Sequence, residues 1–477
     1  SSPLHHSPRG DHPLGEASQS TSSTYNSSLK QDTLNHQNMT EKKEGSLSAP
    51  TRDIVDWKSP DYLNEDTLDA EMRRQFEVCH SCRRCFNLCE SFPTLFDLID
   101  ESKDESLESV DSKDFPKVVD KCTLCDMCFM TKCPYVPPHE FNIDFPHLML
   151  RYRTLQKKKG QLSKMPQELA KIDRNAKIAG IAPSIANWGS NKKNTLIRKP
   201  LEALTGIDKS AELPKFEKKT YIQQSKEISK VINKDAPAFG RKVAIYSTCY
   251  VNYNNTAVGI AAEKVLLHNG VEVIPVYPGC CGMPYLEQSQ HEKVVKQSEL
   301  VSDELCKLID EGYDIVTLTA SCGLMLKFEW PLLNPDNKKI KKLSNNTYDI
   351  DQYVSDISKK EGLTTGLSYI DGGITVHNAC HARAQNMGNK ALEMLKNLPD
   401  TKVDVVERCA GHGGTFGVMK ETRHAAVKYG RTTARQIKNK KTKFVVSDCP
   451  LASKHLDGLL NEKDEEEIVS MLSLIHI

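Results

Sequence analysis

The sequence predicts a multidomain α+β protein, with a helical domain followed by two related α/β repeats. Three observations carry this. Apolar residues at four-residue spacing lead into two dense cysteine runs. From residue 241, short apolar strands alternate with helical stretches. Those strands, each ending near a cysteine, then recur about 130 residues later. A length of 477 residues exceeds one ordinary core, so two or three domains are expected.

Residues 1–38 are rich in Ser, His and Asn and poor in large apolar side chains, so a disordered or extended tail is expected over 1–65. Met39 is the expected start of the natural chain. The helical domain is expected over 66–160. Leu68, Met72 and Phe76 predict a helix spanning 66–90 that leads into the first run, Cys79-x2-Cys82-x2-Cys85-x3-Cys89. The second run is Cys122-x2-Cys125-x2-Cys128-x4-Cys133-Pro134. Between them, Asp97 to Asp114 holds eight carboxylates against two lysines. That pattern reads as a solvated helix and loop, or as a docking surface for a basic redox partner. An Arg/Lys-rich helix is expected over 143–160.

Three thiolates at two-residue spacing wrap one corner of a cubane cluster, and the fourth comes from elsewhere. In two-cluster ferredoxins that fourth cysteine ligates the other cluster. The expectation is therefore two [4Fe-4S] clusters in a ferredoxin-type domain. One is held by Cys79, Cys82, Cys85 and Cys133, the other by Cys122, Cys125, Cys128 and Cys89. Structural zinc sites, the alternative, usually show two-plus-two spacing.

Composition narrows the function classes. A net charge of +1 gives no electrostatic footprint for nucleic acid. No apolar run of 18 residues reads as a membrane span, and no apolar segment near the start reads as a secretory signal. Sixteen cysteines without export point to a reducing, cytoplasmic setting, with peripheral attachment to the membrane left open.

Residues 161–240 combine scattered apolar residues, prolines and many lysines, and are expected to form a connecting arm that packs on something else. The first repeat, expected over 241–340, has strands at 242–248, 271–276 and 314–319. They lead to Cys249, to Cys280-Cys281-Gly282 and to Cys322. The second, expected over 341–465, has strands at 374–379, 403–408 and 444–448, leading to Cys380, Cys409 and Cys449. Cysteines at the carboxyl ends of parallel strands sit where open sheets bind ligands. Residues 466–477 are set apart, the last six reading as extraneous sequence. Cys306 lies on an amphipathic helix and reads as a core residue.

The Cys249, Cys280-Cys281-Gly282 and Cys322 pattern resembles the cysteine-rich "CCG" domain of heterodisulfide reductases. It is also similar to the iron–sulfur subunits of anaerobic glycerol-3-phosphate dehydrogenase and glycolate oxidase. The resemblance covers roughly residues 66–465 and implies two repeats related by a pseudo-twofold. The family motif has five cysteines per repeat. Here Thr319 stands where the first repeat should have a cysteine, in register with Cys449. The second repeat has Cys409-Ala410 in place of a cysteine pair, and Ala452 at its last cysteine position.

Four thiolates (Cys249, Cys280, Cys281, Cys322) suffice for a third iron–sulfur cluster or a zinc ion. Three (Cys380, Cys409, Cys449) would need His381, His412 or another ligand, and a decayed second site is the alternative. Neither five-cysteine set is complete, which argues against direct disulfide cleavage as in heterodisulfide reductases. The resemblance implies an electron-transfer subunit, passing electrons from a flavoprotein or other donor to a CCG-site cluster or to quinone. A peroxide-defence setting beside a rubrerythrin-type protein is a further implication. The alternatives are a thiol/disulfide or quinone reductase acting at the first CCG site, and a zinc-stabilised scaffold.

Overall fold

The computed structural model describes residue 46, residues 48–461 and the backbone of 469–470. Most of the expected tail and of the C-terminal segment lies outside the described residues.

The first long helix, Glu65–Cys82, starts where the Asn64 side chain accepts from the N–H groups of Asp66 and Thr67. Leu68, Met72 and Phe76 are fully buried on its inner face. It stops eight residues before the expected 90, because Arg83 takes a left-handed conformation, φ 48°. Continued to Cys89, a helix would spread that cysteine run over about 15 Å. The turn instead folds Cys85 and Cys89 back. The acidic insert contains the helix Ser91–Asp100, which buries Phe92, Leu95, Phe96 and Ile99. Its carboxylates, apart from Asp114, are exposed. The helix Phe145–Lys158 then packs against Glu65–Cys82.

The expected connecting arm is mostly helical, including Ile172–Ile181, Pro183–Ser190, Thr195–Thr205 and Tyr221–Ser225. Buried Arg198 holds it together by donating to the carbonyls of Ser190, Asp208 and Ala211. A bridge from Ile207 to Met419 ties it to the second repeat.

Two four-stranded parallel sheets follow. The first comprises β1 (Lys242–Tyr246), β2 (Glu272–Val276), β3 (Asp314–Thr317) and β4 (Thr347–Asp349), in the order β2-β1-β3-β4. The second comprises β5 (Ile374–His377), β6 (Val403–Val406), β7 (Phe444–Ser447) and β8 (Val469–Ser470), in the order β6-β5-β7-β8. In each, the middle strand pairs with the two that follow it in sequence: Tyr246 aligns with Val276 and Thr317, His377 with Val406 and Ser447. β4 and the helix Ile350–Lys360 extend the first repeat beyond the expected boundary at 340. A parallel strand can join only after a crossover, and here the crossover runs through helical segments from Ala320 to Asn345.

Part of the expected tail is built into the fold. Val55 N–H donates to the Leu332 carbonyl and Trp57 Nε1–H to the Leu333 carbonyl, so this segment lies along the first repeat. Arg52 binds Asp126 (2.9 and 3.0 Å), Asp144 (2.7 and 2.9 Å) and Glu329 (3.2 Å), with its guanidinium 4.5 Å from the Phe129 ring centroid. His147 bridges Asp144 and Glu329, each at 3.2 Å. Burial and Arg52 push the His147 pKa down, but the two carboxylates outweigh them and raise it to about 9.

Truncating Arg52 to Ala leaves three buried or half-buried carboxylates short of positive charge. A loss of roughly 3–5 kcal/mol is expected in denaturant unfolding. His147 is protonated in the fold well above the ordinary imidazole range. Its contribution to stability is therefore full below about pH 6.5 and is lost as pH rises through about 9. The wild-type melting temperature should fall over that interval, and a His147→Gln variant should show a flatter profile.

Candidate metal and redox centre

The two cysteine runs fold into adjacent groups. Cys79, Cys82, Cys85 and Cys133 line one small cavity of about 20 Å³, beside Val78, Phe92 and Tyr135. Cys89 lies instead among Cys122 and Cys125, and Cys128 has the same two neighbours. Burial, then the neighbouring thiols, pushes Cys85 up to about 12; burial also raises Cys133 and Cys122 to about 11. Such crowding opposes free thiolates and suits sulfurs that share a cationic centre. Leu124 and Asp126, at φ 50° and 60°, are non-glycine residues in the left-handed region. These turns aim the backbone inward, and Leu124 N–H donates to Cys122 Sγ at 3.4 Å.

Among the described residues, no group of three or more Cys, His, Asp or Glu converges as tightly as a single metal ion requires. Tetrahedral zinc, with Zn–S near 2.3 Å, would draw its sulfurs to within about 3.8 Å of one another. A larger, multi-iron core tolerates wider sulfur spacing, so the two cysteine runs fit an iron–sulfur cluster better than one zinc ion.

In the first repeat, Cys249 opens a short helix after Thr248, whose φ is 60°. Cys249 and Cys280 sulfurs are 3.8 Å apart, and Cys281 contacts both Cys280 and Cys322. Hydrogen bonds from Cys249 and Cys281 draw the Cys280 pKa well down, and Gly282 N–H adds a donor at 3.5 Å. Gly282 itself is left-handed, φ 85°. Trp330 Nε1–H fixes the Cys281 carbonyl at 2.9 Å. Thr319, at the missing cysteine position, shares a 3.1 Å hydroxyl–hydroxyl hydrogen bond with Thr248. Asp173, in the arm, accepts from Cys280 N–H at 3.2 Å and from the Tyr277 hydroxyl. Nothing in its local sequence marked it, because the approach comes from a segment 107 residues away.

The second repeat divides its cysteines. Cys380 contacts Cys409 and also Cys125 of the second run. Cys449 packs on Ala379 and Ala452, and the cysteine that most affects it is Cys322 of the first repeat. Burial lowers the His381 pKa, and its Nε2 lacks a hydrogen-bond partner. His412 is lowered to about 4 by burial and by His381 and Arg423. Cys306 donates to the Lys339 carbonyl at 3.3 Å. The two repeats face each other across a cavity of about 150 Å³. Its wall contains Cys249, Cys281, Cys322, Cys380, Cys409, Cys449, Cys125 and Glu287.

Two parallel sheets of the same strand order, with cysteines at their carboxyl edges, define a duplicated cysteine-rich redox module. The cysteine-rich CCG domain matches the chain twice, at 243–327 and 374–457. The chain is 30% identical to lactate utilization protein A of Macrococcus caseolyticus over 186 residues, covering 37% of this chain and 73% of that protein. It is 26% identical over 260 residues to a subunit of the anaerobic glycerol-3-phosphate dehydrogenase of Escherichia coli, covering 53% and 63%. A subunit of the fumarate reductase (CoM/CoB) of Methanothermobacter marburgensis is 27% identical over 248 residues, covering 50% and 46%. This chain thus belongs to the CCG family of iron–sulfur oxidoreductase proteins, and it spans less than two thirds of the length of the latter two relatives.

Gly411 gives a direct test of the second repeat. Its φ is 76°, its N–H donates to Cys409 Sγ at 3.3 Å, and an added Cβ would lie 2.0 Å from the Ala426 carbonyl oxygen. Gly411→Ala should cost roughly 1–3 kcal/mol by thermal or chemical unfolding. It should also raise Cys409 alkylation in the native protein, measured by mass spectrometry.

Proposed function

We propose that this chain is the iron–sulfur electron-transfer subunit of an oxidoreductase complex. It would relay electrons from a flavoprotein or other donor, through two [4Fe-4S] clusters, to a CCG-site cluster or to quinone. The contact between Cys125 and Cys380 carries this reading, because it joins the second cysteine run to the repeats. From there, cysteines continue around the cavity wall to Cys249, Cys281 and Cys322.

Residues 66–160 form the two-cluster domain in this proposal. Cys79, Cys82, Cys85 and Cys133 hold one cluster, and Cys122, Cys125, Cys128 and Cys89 the other. Cys249, Cys280, Cys281 and Cys322 hold a third. Cys380, Cys409 and Cys449 line the second, three-cysteine site, which needs a further ligand such as His381 or His412 to hold metal. When bound, the clusters would supply one-electron carriage. The chain's own part is to exclude water and direct N–H donors from Leu124, Gly282 and Gly411 onto sulfur. Glu287, raised by burial against the pull of Arg153 to about 7, can hold or release a proton at the cavity wall near neutral pH. The shared strand order and the packing of Ala320–Leu324 on Cys380–Arg383 support a pseudo-twofold between the repeats.

A second reading is a thiol/disulfide or quinone reductase acting at the first CCG site. The 3.8 Å sulfur pair of Cys249 and Cys280 favours it.

Anaerobic purification with iron analysis tests the proposal. About twelve irons per chain are expected, and about eight would mean that the first repeat is empty. Zinc in every site with no visible absorbance would overturn it. Cys133→Ser should disturb the cluster of the Cys79 run; loss of the other cluster's electron paramagnetic resonance signal instead would refute the crossed ligation.

A further inference from the structure

Between residues 174 and 201 the sequence has six basic residues and no Asp or Glu, in a chain whose net charge is +1. Arg198 is turned inward onto carbonyls, but Arg174, Lys177, Lys192, Lys193 and Lys199 are exposed. The same stretch of the arm, through Leu204, holds six of the fourteen large apolar side chains exposed among the described residues. These are Ile178, Ile181, Ile185, Trp188, Leu196 and Leu204, and they are 61 to 87% exposed. Ile178, Ile181, Ile185 and Trp188 follow one another at spacings of three, four and three residues, across the helices Ile172–Ile181 and Pro183–Ser190.

Isolated exposed apolar residues are ordinary, but a cluster of this kind marks an interaction surface. Its chemistry selects the occupant. Glu202, the one carboxylate within 174–204, pairs with Lys209, and Arg174 and Lys192 pair with Glu168 and Glu212. Exposed Lys177, Lys193 and Lys199 among isoleucine, leucine and tryptophan match an anionic bilayer surface. Apolar side chains enter the acyl boundary, tryptophan sits at the headgroup level, and lysines meet lipid phosphate. We infer that the arm over residues 174–204 docks the protein on an anionic membrane face, lying on the bilayer rather than crossing it. Among the described residues, no helix is long and apolar enough to cross a membrane.

The arm also sets where the redox module would stand. Asp173, at the start of the first of these helices, is hydrogen-bonded to the Cys280 backbone. That helix of ten residues is about 15 Å long. A docked arm therefore holds the first repeat's cysteines close to the lipid surface, within reach of an acceptor dissolved in it.

The test is co-sedimentation of the full chain, as purified, with vesicles of phosphatidylcholine alone or mixed with phosphatidylglycerol. Pelleting with the mixed vesicles, weakened by salt, is expected. Trp330 is buried and Trp57 is stacked on His291, so a blue shift and quenching by brominated acyl chains should report Trp188. Trp188→Phe should abolish the quenching while the protein still pellets. Ile181→Glu/Ile185→Glu should abolish binding with an unchanged melting temperature, because both side chains are exposed. Lys193→Gln/Lys199→Gln should weaken it roughly 30-fold. Binding absent from mixed vesicles, or undiminished in the isoleucine double variant, would overturn the inference. Iron content measured on the same samples reports separately on the electron-transfer proposal.

Discussion

The assembly depends on one buried charge: the Arg52 guanidinium. It reaches Asp126, inside the second cysteine run; Asp144, which caps the helix Phe145–Lys158; and Glu329, in the first repeat after Cys322. Each carboxylate alone would resist burial, and together they would repel one another. Arg52 and protonated His147 turn that repulsion into attraction, and so tie the cysteine domain to the first repeat. A buried ion network is weak evidence for net stability, because desolvation offsets much of its attraction. Cys125, beside Asp126, lies against Cys380 of the second repeat.

The repeats share a strand order but not a chemistry. In the first, Thr319 and Thr248 bond to each other where the family motif has a cysteine, and four other cysteines stay together. In the second, loss of the paired cysteine at Ala410 leaves Cys409 with Cys380, while Cys449 turns toward the first repeat. Duplication thus produces one cavity walled by unequal halves.

The arm shows how a weakly patterned segment acquires a role. Its core-facing groups are few: Arg198 on carbonyls, Asp173 on Cys280, and the Ile207–Met419 bridge. These anchors leave its isoleucines and Trp188 outward. Periodicity over 175–240 looked weak because two kinds of apolar residue are interleaved there, those that pack and those that do not.

Much of the architecture was legible in the sequence because it depends on local period and on repetition. The apolar stripe of Leu68, Met72 and Phe76, the alternating strands, and the recurrence of Cys249 at Cys380 each need only short-range pattern. The gathering of Cys133 with the Cys79 run follows the ferredoxin spacing rule, but its position in space belongs to the fold. Tertiary structure alone decided the rest. Arg52 lay in an expected tail, Asp173 in an expected connector, and β4 past an expected boundary. The meeting of Cys125 with Cys380 joins residues 255 positions apart. Contacts at that separation leave no periodic trace, because each is set by how packed domains meet rather than by the residues beside it.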